Sequence, residues 1–171
     1  MLFKNKGYPE EGEIVYCTVT SVQHHSVFVQ LDEFHDKVGM IHISEVAPGR
    51  IRNIRDYVVE GKPVVCVVLG VNAERGHVDL SLRRVNEGQR RAKVKEIKQN
   101  QKAEKIVATV AASLGIKAQD LYDDLMEKLG SQFPSLFEAF LAVTKGELDL
   151  DSLKLSKKLA EALTGAVKQR V

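Results

Sequence analysis

The sequence is poor in the residues that hold small metal-bound or disulfide-stapled domains together. It has two cysteines and no tryptophan in 171 residues. Cys17 and Cys66 stand far apart in sequence, outside any Cys-x-x-Cys pair, and both fall in stretches that read as strands. They predict reduced core residues of a cytoplasmic protein rather than a disulfide or a metal site. His24, His25 and His35 lack the spacing of zinc ligands and read as solvated loop histidines. No apolar run approaches the ~20 residues of a membrane-spanning helix, and Met1–Gly7 has no apolar core of a secretion signal. A Gly-x-x-x-x-Gly-Lys-Ser/Thr phosphate loop is missing, with Gly115 and Gly130 falling where helical patterns stop. Neither cysteine carries a histidine and an acid in nucleophile order. The expectation is therefore a chain that is not an enzyme, with no metal, no cofactor and no membrane association. A net charge of +2 is too small to argue by itself for a polyanionic partner.

The distribution of charge says more than its total. Between Arg83 and Lys105 nine basic side chains face three acidic ones, Glu87, Glu96 and Glu104. Near Val85 the hydrophobic pattern also changes, from period two to helical spacing. Two domains are expected, 1–85 and 86–171. The basic segment has two readings, a path for a phosphate backbone or a solvated connecting helix.

Residues 13–85 predict a small antiparallel barrel. In 13–22, Val15, Cys17 and Val19 alternate inward, leaving Tyr16, Thr18 and Thr20 outward. Val27, Val29 and Leu31 repeat the pattern, so Phe28 faces out. A third strand covers Val38–Ile43. Val64–Leu69 is apolar on both faces, as for a strand partly covered by another element. After the Arg75-Gly76 turn, Val78 and Leu80 point inward. Five short strands with the longest connection between the third and fourth match a Greek-key barrel of the OB type.

Such barrels hold single strands on outward aromatics beside polar or basic groups. Phe28 and His42 are the candidates, with Tyr16 near them; Phe28 could equally pack beneath the long connection. In Gly39–Arg52 alternation sets Ile41 and Ile43 against Met40 and His42. Ser44 is expected to accept from backbone N–H groups downstream and open a helical turn over Glu45-Val46-Ala47. Pro48-Gly49 fits a type II turn. Arg50 and Arg52, alternating with Ile51, project as phosphate contacts or as a plain solvated loop.

Residues 86–171 read as a compact all-helical domain of about four helices. An apolar stripe at Val94 and Ile97 lapses through Gln99–Lys105, so the first half of that helix reads as exposed. The stripe resumes at Ile106, Val107, Val110, Ala111 and Leu114. Leu121, Leu125 and Leu129 follow, stopped by Gly130. Phe133-Pro134-Ser135 opens a helix burying Leu136, Phe137, Phe140 and Leu141. Ser156 caps a last helix with Leu159, Leu163 and Val167 inward.

Ser26–Leu31, Gly39–Glu45 and Val78–Ser81 resemble the S1 RNA-binding version of the OB barrel. Tyr8-Pro9-Glu10-Glu11-Gly12-Glu13, Ile43-Ser44-Glu45-Val46, Arg50-Ile51-Arg52-Asn53-Ile54 and Gly76–Val85 resemble, more closely, the alpha subunit of archaeal and eukaryotic translation initiation factor 2. That resemblance implies the non-catalytic RNA-binding component of a heterotrimer that delivers methionyl initiator tRNA to the small ribosomal subunit. The GTPase there is the gamma subunit. The resemblance places the mRNA-facing loop at Ser44–Arg52, with Arg50 and Arg52 as basic contacts; with Phe28 and His42 from alternation and Arg83 and Arg84 from the basic segment, these form the expected RNA-binding set. The position of the kinase-regulated serine of eukaryotic members is Ala47, followed by Pro48-Gly49; Ser44 matches a second serine of that loop. His77 stands where eukaryotic members have tyrosine, which points to an archaeal-type member. His25 replaces an aromatic of many S1 barrels. The family's third domain, which binds gamma, is not in the sequence, so a chain ending at Val171 reads as a fragment. Two other classes stay open, a general S1-type accessory protein of RNA decay or the ribosome, and a protein-interaction module.

Overall fold

Valine, leucine and isoleucine in period-two alternation close the first part of the chain into a barrel in the computed structural model. The structure describes residues 7–130, 132–153 and 155–170; expectations that rest on residues 1–6 or on Val171 lie outside these. The strands are β1 (Ile14–Val22), β2 (Ser26–Leu31), β3 (Val38–His42), β4 (Pro63–Asn72) and β5 (His77–Ser81). They close in the order β1-β2-β3-β5-β4. Val15, Cys17, Val19, Val27, Val29, Leu31 and Ile41 fill the interior as alternation required. Val65 of β4 is buried too, although its neighbour Cys66 faces the barrel core, so this strand is covered on both faces.

One pairing departs from the antiparallel expectation. β3 and β5 run parallel, with Met40 opposite Asp79 and Ile41 opposite Leu80. A chain that reaches the neighbour of β3 only after the long excursion through β4 has no hairpin to set its direction. Gly39 makes the approach possible: a Cβ there would stand 2.5 Å from Leu80 Cδ1, which packing of the interior does not allow. Cys17 and Cys66 lie on adjacent strands, Cys17 opposite Val64 and Cys66 opposite Val15, and both are free and fully buried. A hydrogen bond to Cys66, then burial, pushes the Cys17 thiol well above its ordinary range.

Helix α1 (Glu87–Leu114) opens on a reciprocal cap. The Gln89 N–H donates to Asn86 Oδ1 at 2.8 Å and the Asn86 N–H donates to Gln89 Oε1 at 3.0 Å. Two compact units part inside this helix, one ending at Ile97 and the other beginning at Lys98. The pattern change at Val85 marks where strand gives way to helix; the first turns of α1 stay with the barrel. Lys93 is the reason. Its Nζ donates to Glu33 Oε2 at 2.7 Å and to Glu96 Oε2 at 3.2 Å, while Glu33 Oε1 accepts the Tyr16 N–H of β1. The first half of α1 is therefore not uniformly solvated.

The helical unit holds the rest of α1, α2 (Ala118–Leu129), α3 (Leu136–Thr144) and α4 (Lys157–Arg170). Ser156 Oγ accepts the Leu159 N–H, the cap expected of it, and Ser135 Oγ accepts the Glu138 N–H where the Phe133-Pro134-Ser135 start was placed. Ile106, Val110, Leu125, Phe140, Leu163 and Val167 form the centre of its core. Ala103 also belongs to it, so a single alanine carries the apolar stripe where the sequence showed a lapse.

The Lys93–Glu33 pair is nearly dry, with 10% and 16% of the side chains exposed. Burial by itself would depress the lysine; the Glu33 carboxylate outweighs it and raises the pKa. Lys93→Ala should cost about 2–3 kcal/mol in urea unfolding and speed amide exchange in the first turns of α1. Glu33→Gln with Lys93→Met should recover part of that loss, because no charge is then left unpaired. The pair's contribution is full below the ordinary lysine pKa and fades as pH rises through the elevated one. A double variant as unstable as Lys93→Ala alone would contradict this account.

Candidate nucleic-acid interface

The register of four strands sets a row of side chains across the outer barrel face. Phe28 pairs with Met40, Met40 with Asp79, and Asp79 with Gly70. Phe28 is 40% exposed and lies outside the barrel core, so it is not a core residue tucked under the long connection. His42 is exposed one row away, opposite Ser26. Tyr16 is not part of this surface: it pairs with Val65 of β4, whereas the β1 partner of Phe28 is Ser21.

His42 has a second task. The Ser44 N–H donates to His42 Nδ1 at 3.2 Å, and Ser44 Oγ lies 2.8 Å from the same nitrogen. An amide can only donate, so Nδ1 is the acceptor and the ring proton of the neutral imidazole sits on Nε2. The short helical turn that follows covers Ile43–Glu45, and His42, not Ser44, caps it. Ser44 was expected to open that turn, but the capping side chain comes two residues earlier because the turn itself starts earlier.

The connection from β3 to β4 is pinned along its length. Val46, Ile54 and Val58 are buried in the barrel core and Ile51 packs against it. Asn53 Oδ1 accepts the Arg55 N–H at the start of a second turn, Ile54–Asp56. Arg55 Nη2 donates to the Val22 carbonyl at 3.3 Å. Between the pins, Pro48, Gly49 and Arg50 are exposed and Ala47 is half-buried. Gly49 has φ +83, the positive value a Pro-Gly turn needs at its second central residue. Arg50 and Arg52 are exposed, and neither enters the ion pairs that occupy Arg55, Arg83 and Arg84.

Arg83 and Arg84 are engaged by a residue that spacing alone did not single out. Glu45 takes the Ser81 hydroxyl on Oε2 at 2.6 Å, Arg84 Nε on Oε2 at 3.1 Å, Arg84 Nη2 on Oε1 at 3.0 Å and Arg83 Nε on Oε2 at 3.4 Å. Its carbonyl accepts the N–H groups of Leu82 and Arg83. Burial would raise the Glu45 carboxyl, but the Ser81 hydroxyl, Arg84 and Arg83 together hold it below the usual carboxylate range. Met40, His42, Glu45, Leu69, Gly70 and Asp79 line a groove of about 270 Å³ on this face. Among the described residues no three His, Cys, Asp or Glu side chains are placed to hold a metal ion, and no helix is long and apolar enough to cross a membrane.

Residues 8–83 match the family described as S1 RNA binding domain. The chain is 42% identical to translation initiation factor 2 subunit alpha of Methanobrevibacter smithii over 165 residues, covering 96% of this chain and 62% of that protein. It is 41% identical to the subunit of the same description from Methanocaldococcus jannaschii over 172 residues, covering 100% and 65%. The intact alpha subunit of aIF2 from Pyrococcus abyssi matches with a TM-score of 0.87 at 38% identity, covering 96% of this chain and 63% of that one. A chain of the a/eIF2alpha–aDim2p–rRNA complex from Pyrococcus horikoshii matches with a TM-score of 0.81 at 38% identity, covering 96% and 98%.

The chain belongs to the alpha-subunit family of archaeal translation initiation factor 2. It spans just under two thirds of the length of the two curated relatives described. As in the family's pattern the S1 barrel is followed by helices, and the match to these relatives runs on through the helical unit.

Within this family member Glu45 ties the start of the loop to the end of β5. Glu45→Gln should destabilise the protein by roughly 1–3 kcal/mol at neutral pH, since four donor groups on three side chains lose a charged acceptor. A depressed folded-state pKa means that the stabilisation is present above the unfolded carboxylate value, about 4.3, and disappears as pH falls through the folded value. Urea titrations across that range should show the wild type and the variant converging in acid. A constant gap at all pH values would contradict the assignment.

Proposed function

We propose that this chain is the non-catalytic, RNA-contacting part of translation initiation factor 2. The barrel acts as the RNA-binding domain and the helical segment after Val85 as its companion. The observation that carries the reading is the exposed Phe28 beside half-buried Met40 on an S1 barrel, together with two exposed loop arginines, Arg50 and Arg52, that no ion pair among the described residues occupies. Phe28 offers a stacking face to a base. His42 keeps an N–H on Nε2 to donate to a base edge or a phosphate. Arg50 and Arg52 attract the backbone from the projecting loop, while Arg83 and Arg84, partly exposed but anchored by Glu45, add positive potential at the barrel edge.

In the intact factor this part serves the delivery of methionyl initiator tRNA to the small ribosomal subunit and reaches towards mRNA through Ser44–Arg52. Assembly with the gamma-subunit GTPase runs through a further domain, and the complex works in the cytoplasm. The Pyrococcus horikoshii relative occurs in a complex with aDim2p and rRNA, which supports an RNA partner for this chain as well. A general S1 accessory role has less support, because the similarity to initiation-factor subunits does not stop at the barrel. Ala47 has no hydroxyl, so the loop has no phosphoacceptor at that position. Ser44 is engaged with His42.

Titrations with initiator tRNA, elongator tRNA and an unstructured RNA at several salt concentrations test this reading. Phe28→Ala should weaken binding by about tenfold, the worth of one base stack. Arg50→Ala with Arg52→Ala should weaken all three RNAs together and lower the salt slope by about 1.4. Binding unchanged in both variants would remove the barrel face and loop from the function.

A further inference from the structure

The groove beside Phe28 has a chemistry that phosphate binding does not explain. Its walls include the apolar side chains of Met40 and Leu69, and its polar edge carries two carboxylates, Glu45 and Asp79. Glu45 is occupied by Ser81, Arg83 and Arg84. The Asp79 carboxylate enters no hydrogen bond among the described residues. Its side chain is 50% exposed, and its Oδ1 lies 3.7 Å from His77 Nε2, a contact beyond hydrogen-bond distance that becomes an ion pair only when the imidazole is protonated. Across the sheet Asp79 faces Gly70, which has no side chain to cover it. A Cβ placed on Gly70 would meet nothing within 4 Å, so the space in front of the carboxylate is open.

A nucleobase brings a flat apolar body and donors on its edge, which suit the apolar walls and the Asp79 carboxylate. Guanine presents N1–H and the N2 amino group side by side, matching both oxygens of one carboxylate as an arginine fork does. Cytosine and adenine offer a single amino donor beside an acceptor nitrogen. Uracil offers one N3–H between two carbonyl oxygens, and those oxygens would face the carboxylate.

We propose that this groove is a nucleobase pocket that selects guanine, with Asp79 accepting from N1–H and N2–H, Met40 and Leu69 as walls, and Phe28 stacking the neighbouring base. The inference rests on the RNA-binding reading of the barrel face. It adds base selection to that face: backbone attraction belongs to Arg50 and Arg52, and discrimination belongs to an acidic residue.

The test is fluorescence anisotropy of the whole chain with hexauridine, with the same oligonucleotide carrying one guanosine, and with inosine at that position. Guanosine should tighten binding by roughly tenfold, the discrimination expected of a good bidentate pair, and inosine, which lacks the amino group, should lose most of the gain. Asp79→Asn should collapse the difference between guanosine and uridine. Gly70→Val should do the same by filling the groove while leaving the carboxylate in place, and Phe28→Ala should weaken both oligonucleotides alike. Equal binding of the guanosine and uridine oligonucleotides, still weakened by Phe28→Ala, overturns the guanine selection and leaves the RNA-binding reading standing. No binding of any oligonucleotide overturns both. Retention of the guanosine preference in folded Asp79→Asn and Gly70→Val overturns the assignment of this groove.

Discussion

Glu45 holds the exit of β3 to the exit of β5. Its carbonyl takes the N–H groups of Leu82 and Arg83, and its carboxylate takes Ser81, Arg83 and Arg84. These bonds continue the parallel β3–β5 pairing past the end of the strands, which is the pairing that closes the barrel. Two consequences follow from one residue. The long connection starts from a fixed point, so its next anchors, Val46, Ile51 and Ile54, can leave only a short segment projecting. The arginines at the end of β5 also have part of their charge balanced before any RNA arrives. Among the described residues Arg50 and Arg52 have no such partner, so the attraction for a phosphate backbone is concentrated on the loop.

That arrangement separates three tasks on a small surface. The loop arginines act at a distance and without regard to sequence. Phe28 and Met40 supply apolar contact that every base can use. The bare edge at Gly70 and Asp79 supplies acceptors that only some bases can satisfy. Anchoring the connection through buried aliphatic side chains lets it present guanidinium groups with little ordering left to do on binding, which lowers the entropic cost of the contact.

Much of this was legible in the residues. Alternation placed Val15, Val19, Val27 and Val29 in the interior and Phe28 outside, and leucine spacing with the Phe133-Pro134-Ser135 start and the Ser156 cap marked the helices. Alternation turned Val78 and Leu80 inward, and the structure has Asp79 between them half exposed. That pattern could not say which strand lay next to Asp79, because the β3–β5 register follows from a long connection and not from a tight turn. Long-range ion pairs were invisible for the same reason: Glu33 with Lys93 and Glu45 with Arg84 join residues whose separation has no periodicity to betray it. The cap on the turn after β3 was misplaced onto Ser44 because serine is the usual capping residue, whereas here an imidazole acceptor already stood one position before the turn.

Where RNA touches the chain is the deciding question. Photo-crosslinking of an oligonucleotide containing 5-iodouridine, followed by peptide mass spectrometry, measures this directly. Adducts should fall on the β2 peptide bearing Phe28, on the β3 peptide bearing Met40 and His42, and on the loop peptide bearing Arg50 and Arg52. Adducts confined to residues 98–170, with none on the barrel, would contradict it.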